Sequence, residues 1–248
     1  MSCTINASVT NNGLIHGADA SGNLQIQSNG TAALNFVTNG KVVFPSTSLG
    51  TASAGTIEYD GSVPYFTPLG TQRGIIPGMQ YYRLNSDLAG ANGTSAQNTF
   101  GVGVTLSSST VYYFELEYVL SKSAGATSHT LSYGFGGTAT INNILINLRR
   151  QGASGNTFPW SGVTAIGVVP ISVNTTAQQV VTGAIANASY VDMVSVKGTI
   201  SVNAGGTFIP QYQLSAAPGG AYSTITGSYM LIYPIGASGS NISVGTWA

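Results

Sequence analysis

Between Tyr112 and Leu120 the chain alternates without a break: Tyr112, Phe114, Leu116, Tyr118 and Leu120 fall on one side, and Tyr113, Glu115, Glu117 and Val119 on the other. Successive side chains of a strand point to opposite faces, so this period of two commits the segment to a β-strand with an apolar face and a wetter face carrying both glutamates. The period returns in Leu131, Tyr133 and Phe135, in Val194, Val196, Ile200 and Val202, and in Phe208, Pro210, Tyr212 and Leu214. In the last strong run Tyr229, Leu231 and Tyr233 share one face and Met230 and Ile232 the other. Gly198 breaks the valine-rich run and predicts a bulge or a close approach by a neighbouring group. Turn-forming clusters at 89–93, 107–109, 121–125 and 218–220 separate the runs. Many short strands punctuated in this way predict an all-β chain, a sandwich or jelly roll.

One stretch, 138–150, fits two periods. Ile141, Ile144, Leu145 and Leu148 fall at i, i+3, i+4 and i+7 of a helix, whereas Ile144, Ile146 and Leu148 fit a strand, which its Thr, Asn and Ile content also favours. The organisation shifts near residue 70. Before it come short bursts at 24–27, 33–37, 42–44 and 56–59, separated by Ser-Gly, Asn-Gly and Asp-Gly turn signals. None is long enough to build a core alone, so this part is expected to fold against a partner or its own copies. The segment TPLGTQRGIIPG, residues 67–78, reads as a junction.

Composition narrows the function. Charged residues make up 6% of 248, with 7 Lys+Arg against 7 Asp+Glu and a net charge of +0, where soluble domains usually carry about 25%. No basic cluster exceeds Arg149-Arg150, which argues against nucleic-acid binding. A hydrophobic content of 43% argues against disorder. A surface with so few charges tends to associate, so much of it is expected to be covered by partner subunits. No run reaches about 18 uninterrupted apolar residues and residues 1–10 lack the pattern of an export signal, so neither a membrane span nor secretion is expected. The single cysteine, Cys3, excludes an intrachain disulfide and fits a reducing site of synthesis.

Motifs of chemistry are weak. Gly134, Gly136 and Ala139 match the dinucleotide pattern G-x-G-x-x-A, but no acidic residue follows until Asp192, so the match reads as a glycine-loosened strand end. His16 and His129 read as turn or surface residues. Glu58 with Asp60, and Glu115 with Glu117, read as solvated strand faces rather than metal sites, because a hard cation recruits more oxygen ligands. Tyrosine, at 13 copies, is more telling. It recurs along the strands at Tyr112, Tyr113, Tyr118, Tyr133, Tyr190, Tyr212, Tyr229 and Tyr233, where it serves as sandwich core, as subunit contact or as a sugar-stacking surface.

The segments DASGNLQIQSNGT (19–31), AGTIEYDG (54–61), TPLGTQRGIIPG (67–78) and GTFIPQYQLSAAPGG (206–220) resemble those of a widespread group of tailed-bacteriophage virion proteins, described as head decoration or fibre proteins. The resemblance implies an N-terminal segment that docks on the particle and a C-terminal β-sandwich, often trimeric and similar to the tumour-necrosis-factor-like jelly roll. The expectation is therefore a non-enzymatic virion surface protein, made in the host cytoplasm. Residues 1–76 are expected to form an attachment region contacting the major capsid protein or another virion protein, and 77–248 a jelly-roll head. As a homotrimeric capsid decoration or cement protein it would bridge the shell, with Phe208, Tyr212, Tyr229 and Tyr233 assigned to the trimer contacts. The alternative is a short tail or neck fibre that binds host surface glycan. A carbohydrate-active enzyme would want a carboxylate pair in a cleft, which seven acids make an improbable find. No catalytic residue, cofactor, metal, nucleic acid or membrane is expected.

Overall fold

The computed structural model describes residues 24–28, 31–37, 39–154, 163–173 and 180–247, and among these no helix forms. The chain divides into two compact units, Met1–Arg73 and Gly74–Ala248. The division lies inside the segment 67–78, whereas the sequence reading draws it at 76/77.

In the first unit, strands β1 (Leu24–Ser28), β2 (Thr31–Phe36) and β3 (Val42–Val43) form an antiparallel meander, and β4 (Thr56–Tyr59) pairs with β5 (Pro64–Thr67) as a hairpin. Asp60 makes the hairpin turn. Its Oδ1 accepts the backbone N–H groups of Ser62 and Val63 at 2.7 and 2.9 Å, and its Oδ2 accepts the Tyr65 hydroxyl at 2.8 Å. Among the described residues of this unit the buried hydrophobic side chains are Val63 and Tyr65, while Leu24, Ile26, Phe36, Val42, Val43, Phe44, Ile57, Phe66 and Leu69 are exposed. The short strands turn more apolar surface outward than they can enclose.

The second unit opens with β6 (Gly74–Ile75), β7 (Gln80–Arg83), β8 (Leu88–Ala89), β9 (Gln97–Asn98) and β10 (Val104–Leu106). The long strands follow: β11 (Thr110–Lys122), β12 (Leu131–Gly136), β13 (Thr140–Ser154), β14 (Val163–Val173), β15 (Val180–Val181), β16 (Tyr190–Ala204), β17 (Gly206–Leu214), β18 (Ser223–Thr224) and β19 (Tyr229–Ala237). Four antiparallel pairs are nested, first with last: β7 with β19, β10 with β17, β11 with β16 and β12 with β15. A hairpin folded over on itself so that these pairs alternate between two sheets is a jelly roll. One sheet runs β10-β17-β12-β15, with β9 on β17. The other runs β7-β19-β11-β16-β13-β14, with β18 and β8 continuing the β19 edge of β11. The β13–β14 hairpin lies outside the nested set and extends the larger sheet.

The core lies between the sheets. Along β11 every second residue from Thr110 to Lys122 is buried and the intervening ones are half-buried, as the alternation predicts. Phe135 and Phe208 of the smaller sheet stack at 4.4 Å, and Phe114 of the larger sheet meets both edge-on at 5.4 and 5.7 Å. Gly198 keeps the period of its strand. A Cβ there would collide with the Leu145 carbonyl and the Phe114 ring, so the glycine marks a close approach and not a bulge. Stretch 138–150 resolves as strand: Ile144, Ile146 and Leu148 are buried, and Leu145, which a helix would place with them, is 49% exposed on the other face. Pairing with β16 on one side and β14 on the other fills both edges of this segment, and its β-branched side chains suit the pleat.

Candidate functional site

Three features of the molecule could carry function: a buried ionic cluster, a groove at the sandwich edge, and the outer face of the larger sheet.

Parity builds the cluster. Lys122 continues the buried phase of β11, Arg150 that of Ile144, Ile146 and Leu148, and Asp192 that of Val194 and Val196, so three of the chain's few charges point into the core. The Arg150 guanidinium donates Nε and Nη2 to Asp192 Oδ2 at 3.1 and 2.8 Å, and Nη2 also lies 2.9 Å from the Tyr190 hydroxyl. The Tyr133 hydroxyl donates to the same carboxylate oxygen. Gly152 makes room for this: a Cβ there would collide with the Tyr190 hydroxyl and the guanidinium. Burial pulls the Arg150 guanidinium down, and the Asp192 carboxylate with its tyrosines more than offsets this, leaving it above its ordinary value. Burial pushes the Asp192 carboxyl up while Arg150 and Tyr133 pull it back; three donors converging on one oxygen hold the pair in its charged form. Nearby, Lys122 Nζ donates to the carbonyls of Gly125 at 2.6 Å, Ala188 at 3.1 Å and Asn187. His129 Nδ1–H donates to the Thr127 carbonyl at 2.8 Å, which leaves Nε2 to accept the Tyr222 hydroxyl at 2.8 Å. Burial first, and the Lys122 charge after it, hold the imidazole below its ordinary pKa.

These groups resemble a catalytic constellation in type but not in access. Lys122, His129, Arg150 and Asp192 are at most 8% exposed, and the enclosed space beside Tyr118 and Tyr133 is about 10 Å³, room for one water and no substrate. The cluster ties the ends of β11, β13 and β16 to β12 and to the loops beyond them. It is a structural clamp. His129 is thus a core histidine, not the turn or surface residue expected; His16 and Cys3 lie outside the described residues.

The groove opens between the edge strands β7 and β10, with a volume of about 320 Å³. Tyr82, Phe100, Val104, Pro210, Met230 and Ile232 line it. The outer face of the larger sheet carries half-buried Tyr113, Tyr229, Leu231 and Tyr233, with Glu115 paired to Lys197 at 2.8 Å. Tyr81 stacks on Tyr229 at 5.7 Å, and Tyr113 lies 5.4 Å from Tyr233.

The four aromatics assigned to trimer contacts therefore divide. Phe208 and Tyr212 are 0% and 1% exposed within one chain, so their rings have no surface to offer a partner, while Tyr229 and Tyr233 lie on the outer face. Of the strand tyrosines, Tyr112, Tyr118, Tyr133, Tyr190 and Tyr212 are core. Of the carboxylates on strand faces, Glu58 and Glu115 have ion pairs and Glu117 accepts the Ser195 hydroxyl. Glu58 holds Arg73 at 2.6 Å, Asp60 makes its turn, and no cluster of metal-ligating side chains forms among the described residues. The stretch from Gly134 to Ala139 is the end of β12 and the turn after it. Gly137 there adopts φ +116° against the Thr207 carbonyl, with no phosphate-binding helix following.

No family model and no curated protein matches the chain. Among solved structures it is similar to infectious bursal disease virus strain Gx, with a TM-score of 0.18 and 7% identity over 78% of this chain and 48% of that one. It is also similar to the VP2 subviral particle of infectious bursal disease virus, with a TM-score of 0.19 and 9% identity over 78% and 49%. The chain spans about half the length of these relatives. At such TM-scores the likeness carries no argument, and the assignment of the jelly roll rests on the nested strand pairs.

Proposed function

We propose that the chain is a non-enzymatic virion structural protein, a homotrimeric capsid decoration or cement protein whose N-terminal region attaches to the shell. The observation that supports this reading is the first unit, in which, among the described residues, nine large apolar side chains are exposed and two hydrophobic ones are buried. Fully burying one such side chain is worth roughly 1.5–3 kcal/mol, so docking these strands on a capsid or another virion protein supplies the hydrophobic burial that the unit does not find in itself. The head, with its sealed core, projects from the surface. Bridging of neighbouring shell subunits by repeated copies opposes the internal pressure that opens seams.

The test is stoichiometry and heat. On purified particles, quantitative gel densitometry should give one copy per capsid subunit or a simple fraction of it, and particles lacking the protein should release DNA at lower temperature. Full-length protein carrying Ile57→Asp and Phe66→Asp should lose its place on the particle while its head keeps its thermal transition. A handful of copies per particle, with adsorption lost and heat stability kept, would instead support the fibre reading. For that reading the favouring observation is the aromatic-lined groove, whose size suits a small ligand such as a sugar.

A further inference from the structure

We propose that copies of this chain meet through the outer face of the larger sheet, and that Arg149 of one copy pairs with Glu117 of the next. The inference rests on the homotrimer reading and locates its interface.

Charges are so few that each can be followed to its partner. Among the described residues, Glu58, Glu115 and Asp192 hold Arg73, Lys197 and Arg150. Asp60 serves its turn, and Asp87 accepts the Thr226 N–H at 2.8 Å. That leaves Glu117, half-buried, without an ion pair of its own, although Lys197, which Glu115 holds, lies near enough to interact with its charge. It meets hydroxyl groups, Ser195 Oγ at 3.4 Å and the phenol of Tyr229. On the cationic side Lys122 is enclosed by carbonyls, Arg83 donates to Asn85 Oδ1 at 2.6 Å, and Lys41 belongs to the first unit. Arg149 is exposed and makes no hydrogen bond or ion pair among the described residues.

The unmatched anion and the unmatched cation share a face and a row. Glu117 is opposite Ser195, and Ser195 is opposite Arg149. Strands lie about 4.8 Å apart, so the backbones of the two residues sit about 10 Å from each other across β16, and among the described residues they form no ion pair within one chain. The surface around them is half-buried or exposed and mixed, with Met193 38% exposed and Leu231 opposite Glu115 among Ser195, Lys197, Asn147 and Gln151, and farther along the same face Leu145 is 49% exposed. Each chain offers Arg149 to one neighbour and receives the other neighbour's Arg149 on Glu117, and head-to-tail contacts of this kind close into a ring. The apolar side chains supply the burial, and the charge pair selects one register, because a slipped arrangement sets like charges together.

The test is a charge swap in the full-length protein, read by light scattering after gel filtration at micromolar concentration. The unaltered protein should elute at three times the 25.3 kDa chain mass. Arg149→Glu and Glu117→Arg should each fall to the chain mass with an unchanged far-ultraviolet spectrum, and the double variant R149E/E117R should return to the trimer. A monomeric unaltered protein overturns the homotrimer reading and this inference with it. A trimer that survives both reversals overturns the interface alone. Dissociation without rescue overturns the pairing.

Discussion

Replacing Arg150 by Met is the sharpest test of the clamp. The side chain is 8% exposed and its guanidinium is the cation that faces the wholly buried Asp192 carboxylate. Methionine keeps most of the volume and removes the charge. Asp192 is then left with the Tyr133 hydroxyl on one oxygen, and its Oδ1 already lacks a partner. Removing one member of a buried pair costs about 3–5 kcal/mol, because the remaining charge keeps its desolvation penalty and loses its compensation. For a domain of this size each kcal/mol moves the midpoint by about 2–4 °C, so calorimetry on the full-length protein should show the head transition lowered by roughly 6–20 °C. Two further outcomes follow from the same physics. The deficit should shrink as the pH falls toward 5, since protonating Asp192 removes the uncompensated charge. The double variant Arg150→Met with Asp192→Leu should recover most of the loss, because a buried ion pair exchanged for apolar groups of similar volume is close to neutral. A midpoint shift below 2 °C, or a double variant no better than the single one, would refute the clamp.

Gly198→Ala should destabilise the head by about 1–3 kcal/mol through overpacking against Phe114 and the Leu145 carbonyl, measured by urea unfolding. Phe208→Ala should cost about 3–5 kcal/mol, since it removes a ring that touches both Phe135 and Phe114, and it should leave the oligomeric mass unchanged, because that ring lies within one chain. His129 is held neutral in the folded head, while an unfolded histidine takes up its proton near pH 6.5. The unfolded state therefore binds more protons as the pH drops below 6.5, and stability should decline over that window by at most about 1.4 kcal/mol per pH unit. In His129→Gln the slope should flatten; an unchanged slope would remove the histidine from the account.

What the sequence determined by itself is parity. Period two assigns each side chain of a strand to one of two faces, and it does so whatever the strand pairs with. Tyr112, Phe114, Leu116, Tyr118 and Leu120 were bound to share one face, Glu115 and Glu117 to share the other, and Met230 to part from Tyr229 and Tyr233. The same parity, carried one step further along each run, already contained Lys122, Arg150 and Asp192, which are polar residues in an apolar phase and so the legible signal of a buried cluster. What no local pattern holds is which strand lies beside which. Tyr133 and Asp192 are 59 positions apart, and Arg150 and Asp192 are 42 apart. Their meeting depends on β16 pairing with β13 and on the smaller sheet closing over the larger. The tertiary structure alone decided that Phe208 and Tyr212 face inward and Tyr229 and Tyr233 outward, since alternating apolar residues look alike in sequence whether the wetter face meets solvent, a partner or a second sheet. It also decided that the first unit leaves its apolar strands uncovered, because enclosure depends on how many layers pack over a strand, and a strand's own residues carry no record of that number.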